Sequence, residues 1–200
     1  MALTSAEAKA VALKQFLADF PQAEHRLRAL ESLVVARAAW ADERLAAGDV
    51  TAGTALFETA LKEAPEPISD RLFSEVIVKF PANLYWRGER RSAYAMAATL
   101  ETKAAGRSRR LAELAAFYLS VEDGREALRL AEAAVAADAR NVDAHLALAM
   151  AKRLNFDISG AAASFRQALE LNGTSRSAKL GLADMLRAGG EPEKAAALYA

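Results

Sequence analysis

The chain has 200 residues, 53% hydrophobic and 26% charged, and its 26 basic and 26 acidic side chains cancel to a formal charge of zero. That length fits one or two domains, and the zero balance argues against a surface built throughout as a nucleic-acid clamp, and against an acidic binding tail. Cysteine is absent from the sequence, which excludes disulfides, thiol nucleophiles and Cys-ligated metals together. Alanine makes up about a quarter of the chain, with 10 Gly and 5 Pro, a composition that favours helices in close contact. No stretch reaches the roughly 20 apolar residues of a membrane span. Met1–Lys9 lacks the basic and apolar regions of a secretory leader. A soluble chain is therefore expected, in the cytoplasm rather than the periplasm.

At the N-terminus, Thr4 with Glu7 reads as a capping box opening a helix over Ala8–Phe20. Pro21 suits the first turn of a second helix from Gln22 to Ala47, with Leu27, Leu30, Leu33, Val34 and Trp40 apolar. Residues 1–33 are expected to form a helical cap. Residues 34–67 read as a helical hairpin around a Gly48-Asp turn. Residues 68–107 are expected to hold two helices, Ile68–Phe80 and Gly88–Ala105, with Pro81-Ala-Asn breaking the register.

From Ser108 the pattern becomes regular, with a period of 34. Leu111, Leu114, Ala115 and Tyr118 follow the i, i+3, i+4, i+7 spacing of an amphipathic helix, and Ala127, Ala131 and Ala134 continue it after a Glu122-Asp-Gly turn. One period on stand His145, Leu148, Ala149 and Lys152, then Ala161, Phe165 and Ala168; another period on stand Lys179, Leu182, Ala183 and Leu186, then Ala195 and Tyr199. The hairpins are residues 108–141, 142–175 and a truncated 176–200. Val34–Pro67 begins 74 residues before Ser108, two periods plus six, so residues 68–107 hold one irregular repeat with an insertion. A single such hairpin cannot bury its apolar face alone; stacking on the next completes the core.

These residues resemble the tetratricopeptide repeat, whose 34-residue pattern places Leu and a small residue on the first helix and Ala, an aromatic and Ala on the second. The departures are Arg37, His145 and Lys179 where a bulky apolar residue is usual, Ala131 where an aromatic is usual, and a final proline present only as Pro65. The resemblance implies an all-α protein, an α-solenoid of stacked helix-turn-helix repeats behind an N-terminal capping helix. It also implies a concave groove lined by the first helix of each pair. Carried over position by position, the groove residues are Arg109, Ala112, Ala116, Leu119 and Ser120, then Asp143, Leu146, Met150, Arg153 and Leu154, then Ser177, Leu180, Asp184, Arg187 and Ala188. The carboxylate clamp of chaperone-binding relatives is not visible in these residues. The apolar centre better suits an extended or helical peptide with apolar anchors, its charged flanks reaching Arg153 and Arg187.

No nucleophile elbow, phosphate loop or dinucleotide fingerprint occurs, and His25 and His145 lack the spacing of a metal site. No catalytic residue, metal or cofactor is expected. Glu122, Asp123, Glu191 and Glu193 beside turns read as caps and dipole partners. Between Lys79 and Arg110 lie eight basic and two acidic residues, a local charge of +6, with Tyr85, Trp86 and Tyr94 interleaved. This segment reads either as a solvated face over core aromatics or as a polyanion site, the first being expected.

The function expected is a non-enzymatic scaffold binding a peptide or partner domain of unknown identity, with nucleic acid disfavoured. The alternatives are a regulatory or substrate-positioning part of a larger enzyme continuing beyond Ala200, and polyanion or RNA binding through residues 79–110. Leu198 and Tyr199 read as an open end offered to another helix, as in a chain that continues or in a homodimer.

Overall fold

The computed structural model describes residues 5–198 as helices joined by short turns, with no strand among the described residues. The chain divides into two compact units, Met1–Leu100 and Glu101–Ala200.

In the first unit, α1 spans Ala6–Asp19 and α2 spans Arg26–Ala46. The cap of α1 is Ser5, whose Oγ accepts from Ala8 N at 3.1 Å. The Thr4 box expected from the sequence lies outside the described residues. α2 begins four residues later than expected. Ala23 N bonds to Phe20 O at 3.1 Å and Arg26 N to Ala23 O at 3.0 Å, so Pro21 takes the second position of a turn rather than a helix start. Ala10, with Leu13 and Leu17 beside it, packs on Leu33, Ala36 and Trp40 of α2. α3, Val50–Lys62, is capped by Asp49, and its Phe57 ring stacks on Phe80 with centroids 4.4 Å apart.

The irregular repeat departs from the expected helix over Ile68–Phe80. Ser69 caps α4, Asp70–Glu75, which ends where Val76 turns to φ −128° and ψ −64°. A 3-10 turn covers Ile77–Lys79, and α5, Phe80–Tyr85, follows. Pro81 thus opens a helix rather than ending one, because in the first turn its missing N–H has no partner to lose. Ile77, Phe80 and Leu84 are fully buried, so the kink brings three large side chains to the core where a straight helix would swing some outward. α6 covers Arg90–Ala104.

The second unit contains three hairpins: α7 Ser108–Ser120 with α8 Gly124–Ala137, α9 Val142–Leu154 with α10 Ile158–Leu171, and α11 Arg176–Ala188 with α12 Pro192–Ala197. First helices start at 108, 142 and 176, and second helices at 124, 158 and 192, so the 34-residue period of the sequence is the period of the fold. Leu114, Ala115, Ala127, Leu130, Ala131 and Ala134 are wholly buried between neighbouring helices. Leu198 is partly buried and packs on the cluster of Met185, Leu186 and Ala195. Tyr199 lies outside the described residues.

One backbone device recurs at each hairpin turn. Asp49, Glu89, Asp123, Asp157 and Glu191 each send their N–H back five residues, to the carbonyls of Arg44, Leu84, Tyr118, Lys152 and Leu186, at 2.8–3.0 Å. This is the long bond of a Schellman motif, which needs a left-handed residue just before the donor. Those residues are Gly48, Gly88, Glu122, Phe156 and Gly190, with φ between 59° and 89°. The last four are spaced by 34, and Gly48 precedes Gly88 by 40, so the six additional residues fall in the α4–α5 stretch.

Polar residues at apolar repeat positions find local partners. Arg37 is 7% exposed and its Nη2 meets Glu63 Oε2 at 2.7 Å, which a buried guanidinium requires. His145 Nε2 donates to Ala139 O at 2.8 Å, giving the ring a structural role.

Candidate functional site

α7 and α9 face each other across a hollow of about 440 Å³ in the second unit. Successive turns of α7 present Ala112, Ala116 and Leu119, and α9 answers with Leu146, Ala147 and Met150. The small α7 residues create the space, since bulkier side chains at 112 and 116 would fill it. Glu113, Ser120 and Asp143 form its polar margin. Met150 is 41% exposed, a large apolar side chain left in water at the centre of the site. Leu119 and Met150 continue into a second hollow of about 300 Å³, lined also by Arg153, Leu154 and Phe156.

The structure thus brings together Ala112, Ala116, Leu119, Ser120, Asp143, Leu146 and Met150, and sets Arg153 and Leu154 in the adjoining hollow. Arg109 stands outside both linings, its Nε donating to Glu113 Oε1 at 2.9 Å. Leu180, Asp184 and Arg187 are absent from both linings as well. Arg187 donates to Asp184 within α11 at 2.8 Å, and Leu180 is 42% exposed.

The carboxylates beside the turns act on backbone and charge. Asp123 Oδ1 accepts from Glu126 N at 3.2 Å and Asp157 Oδ1 from Gly160 N at 2.9 Å. Glu191 sits at the start of α12 without a capping bond; Lys194 pairs with it and holds its carboxyl below the usual range. Glu101 is likewise held low, chiefly by Arg129, whose two terminal nitrogens donate to its two oxygens at 2.7 Å each. Asp42 moves the other way, burial raising it against the opposing bond from Asn83 at 2.8 Å. No three His, Asp or Glu side chains among the described residues come together as a metal site.

The basic run between Lys79 and Arg110 is divided by the fold. Arg110 is 3% exposed and its guanidinium reaches Lys103 O at 3.5 Å. Lys79, Arg87, Arg90 and Arg91 belong to the first unit, and Lys103 and the arginines after it to the second. Trp86 is 66% exposed, packed edge-on to Tyr85, over whose ring the Arg90 guanidinium lies at 5.4 Å.

Sequence reasoning missed Phe156, which is 88% exposed. The available signal was an aromatic at the repeat position occupied by Gly88 and Gly190.

Among the described residues no helix is long and apolar enough to cross a membrane. No protein-family model matches the sequence, and no curated protein matches it. Solved structures match its fold. MamA from Desulfovibrio magneticus shares 15% identity at a TM-score of 0.57, covering 83% of this chain and 90% of that one. A tetratricopeptide repeat protein from Parabacteroides merdae shares 14% at 0.57, covering 96% and 70%. A thermophilic protein of the same repeat class from Thermus thermophilus shares 21% at 0.55, covering 83% and 88%. With this period, these paired helices and these neighbours, the chain has the tetratricopeptide-repeat fold.

Proposed function

We propose that the chain is a non-enzymatic protein-interaction module that holds a peptide segment in the hollow between α7 and α9. The observation that carries this reading is an apolar floor of Ala112, Ala116, Leu146 and Met150 bordered by polar side chains at its margin. Its volume of about 440 Å³ accommodates one or two bulky apolar side chains. Burying Met150 and Leu119 against such anchors removes apolar surface from water at about 25 cal/mol per Å². Asp143 and Arg153, at opposite ends of α9, give the segment a direction through its charged flanks. The fold shared with a protein of the tetratricopeptide class supports the same reading.

Affinity capture followed by calorimetry with the matching synthetic peptide tests it. Met150→Glu places a charge on the floor and is expected to weaken binding at least tenfold while helicity stays at the wild-type level. An unchanged affinity removes the hollow from the binding surface.

A further inference from the structure

We propose that the turn joining α10 to α11 is a self-modifying site, in which the Gly173 backbone nitrogen closes on the Asn172 side chain and converts it to aspartate and isoaspartate. This inference stands apart from the peptide reading. Asn172 is the one asparagine followed by glycine; Asn83, Asn141 and Asn155 precede Leu84, Val142 and Phe156. Glycine leaves the attacking nitrogen unshielded, since no side chain stands beside it. The final proline of the repeat pattern would fall here and would have no N–H to give up, so the departure at Gly173 creates the nucleophile. The fold sorts the asparagines in the same sense. The carboxamide nitrogens of Asn83, Asn141 and Asn155 donate to Asp42, Ser108 and Gly124. That of Asn172 donates to no group among the described residues, and neither does the Gly173 N–H.

Asn172, Gly173 and Thr174 are all exposed, so water reaches the turn. Thr174 supplies two donors to the side-chain oxygen of Asn172, its N–H at 3.1 Å and its hydroxyl at 2.8 Å. Attack on Cγ puts negative charge on that oxygen, and donors already in place stabilise it. The Gly173 nitrogen gives its proton to hydroxide or water and forms a bond to Asn172 Cγ. The Cγ–Nδ2 bond breaks, and ammonia leaves with a proton from water. Water then opens the cyclic imide. Attack on Cγ yields aspartate; attack on the main-chain carbonyl carbon yields isoaspartate. The net change is one water consumed and one ammonia released, with nothing oxidised or reduced. Both products place a new carboxylate at the joint between two hairpins. Isoaspartate also carries the main chain through Cβ and Cγ, which lengthens that joint by one atom. The bond from Ser175 N to Asn172 O, 3.0 Å long, then loses its place in the turn.

Incubation of the full chain in mildly alkaline buffer, beside a synthetic peptide of residues Gln167–Arg176, tests the proposal. The tryptic fragment Gln167–Arg176 of the folded chain is expected to gain about 1 Da, with isoaspartate in excess of aspartate. Its rate is expected to be no lower than that of the free peptide. Gly173→Ala keeps the N–H but sets a methyl beside it, and is expected to slow conversion about tenfold. A Cβ there meets only Leu169 O at 3.8 Å, so the slowing is not a loss of fold. Thr174→Val is expected to slow conversion about fivefold, and Thr174→Ser to restore it. Hydrogen exchange in α11 is expected to be faster in the isoaspartate fraction than in unconverted chain. An Asn172 that stays intact while the free peptide converts, aspartate formed without isoaspartate, or a Gly173→Ala variant that converts like the wild type overturns the proposal. A Thr174→Val variant that converts at the wild-type rate or faster overturns the part given to Thr174.

Discussion

Phe165 lies against the bare Cα of Gly181: a Cβ added there would come within 2.3 Å of the ring's Cζ. The ring belongs to α10 and is 4% exposed, so α10 and α11 approach as closely as the absent methyl permits. Gly181→Ala gains up to about 1 kcal/mol in helix propensity. It also forces a packed aromatic to move, at about 1–3 kcal/mol. The clash is expected to win, leaving a net loss of roughly 1 kcal/mol by urea denaturation. Phe165→Leu in the same chain should recover part of the loss, because the shorter side chain vacates the contact; equal losses with and without that change would show the methyl acting elsewhere.

Ala115 makes the same argument on the other hairpin interface. It is wholly buried on α7, as are Ala127 and Ala131 on α8. Ala115→Leu adds a branched side chain where no space remains, and a destabilisation of about 1–3 kcal/mol is expected. Because stability in stacked repeats is a sum of local and neighbour terms, the loss should appear as weakened hydrogen-exchange protection in α7 to α9 before it spreads. A melting curve indistinguishable from wild type would mean the helices have slack at this contact.

The period was legible because packing enforces it. Each hairpin buries the same small side chains and closes with the same five-residue return bond, so Ala127, Ala161 and Ala195, spaced by 34, are all buried. The α4–α5 stretch was harder to read. Its kink at Val76 comes from burying Ile77, Phe80 and Leu84 together, a tertiary demand with no local signature, whereas Pro81 carries a strong local signature that points to the wrong residue. Arg37 departs from the pattern because its partner Glu63 lies far off in sequence, just past the end of α3. Seven groove positions of α7 and α9 meet in one hollow; the corresponding set on α11 does not line it, and there Arg187 and Asp184 are bonded to each other.

Asn155 fastens one repeat to the preceding one. Its Nδ2 donates to Gly124 O at 2.7 Å and to Ala151 O at 2.8 Å, tying the end of α9 to the start of α8. The other repeats carry Ala47, Arg87, Val121 and Gly189 at this position, so an asparagine tie is particular to this turn. Asn155→Ala removes both bonds, and a loss of about 1 kcal/mol is expected, since each net bond is worth about 0.5–1.5 kcal/mol and the site is solvated. Asn155→Asp, which keeps the shape but cannot donate when ionised, should cost at least as much. A neutral outcome for both in urea denaturation would leave the carbonyls of Gly124 and Ala151 content with water.

Tyr118 supplies a prediction in pH. Burial pushes its phenol up to about 12 from an ordinary 10, and the nearby carboxylates of Glu126 and Glu101 push the same way. A phenol raised in the folded state favours the protonated form there. Its contribution to stability is complete below the unfolded value near 10 and is lost as pH rises towards 12. Ultraviolet titration of the phenolate band should therefore show a tyrosine ionising above the ordinary value near 10, together with a fall in stability over that interval. Tyr118→Phe is expected to delete the late step and flatten the alkaline fall while leaving stability at neutral pH within about 1 kcal/mol of wild type. If the late step survives in Tyr118→Phe, the raised phenol belongs to another residue and the α7 core is more open to water than its burial indicates.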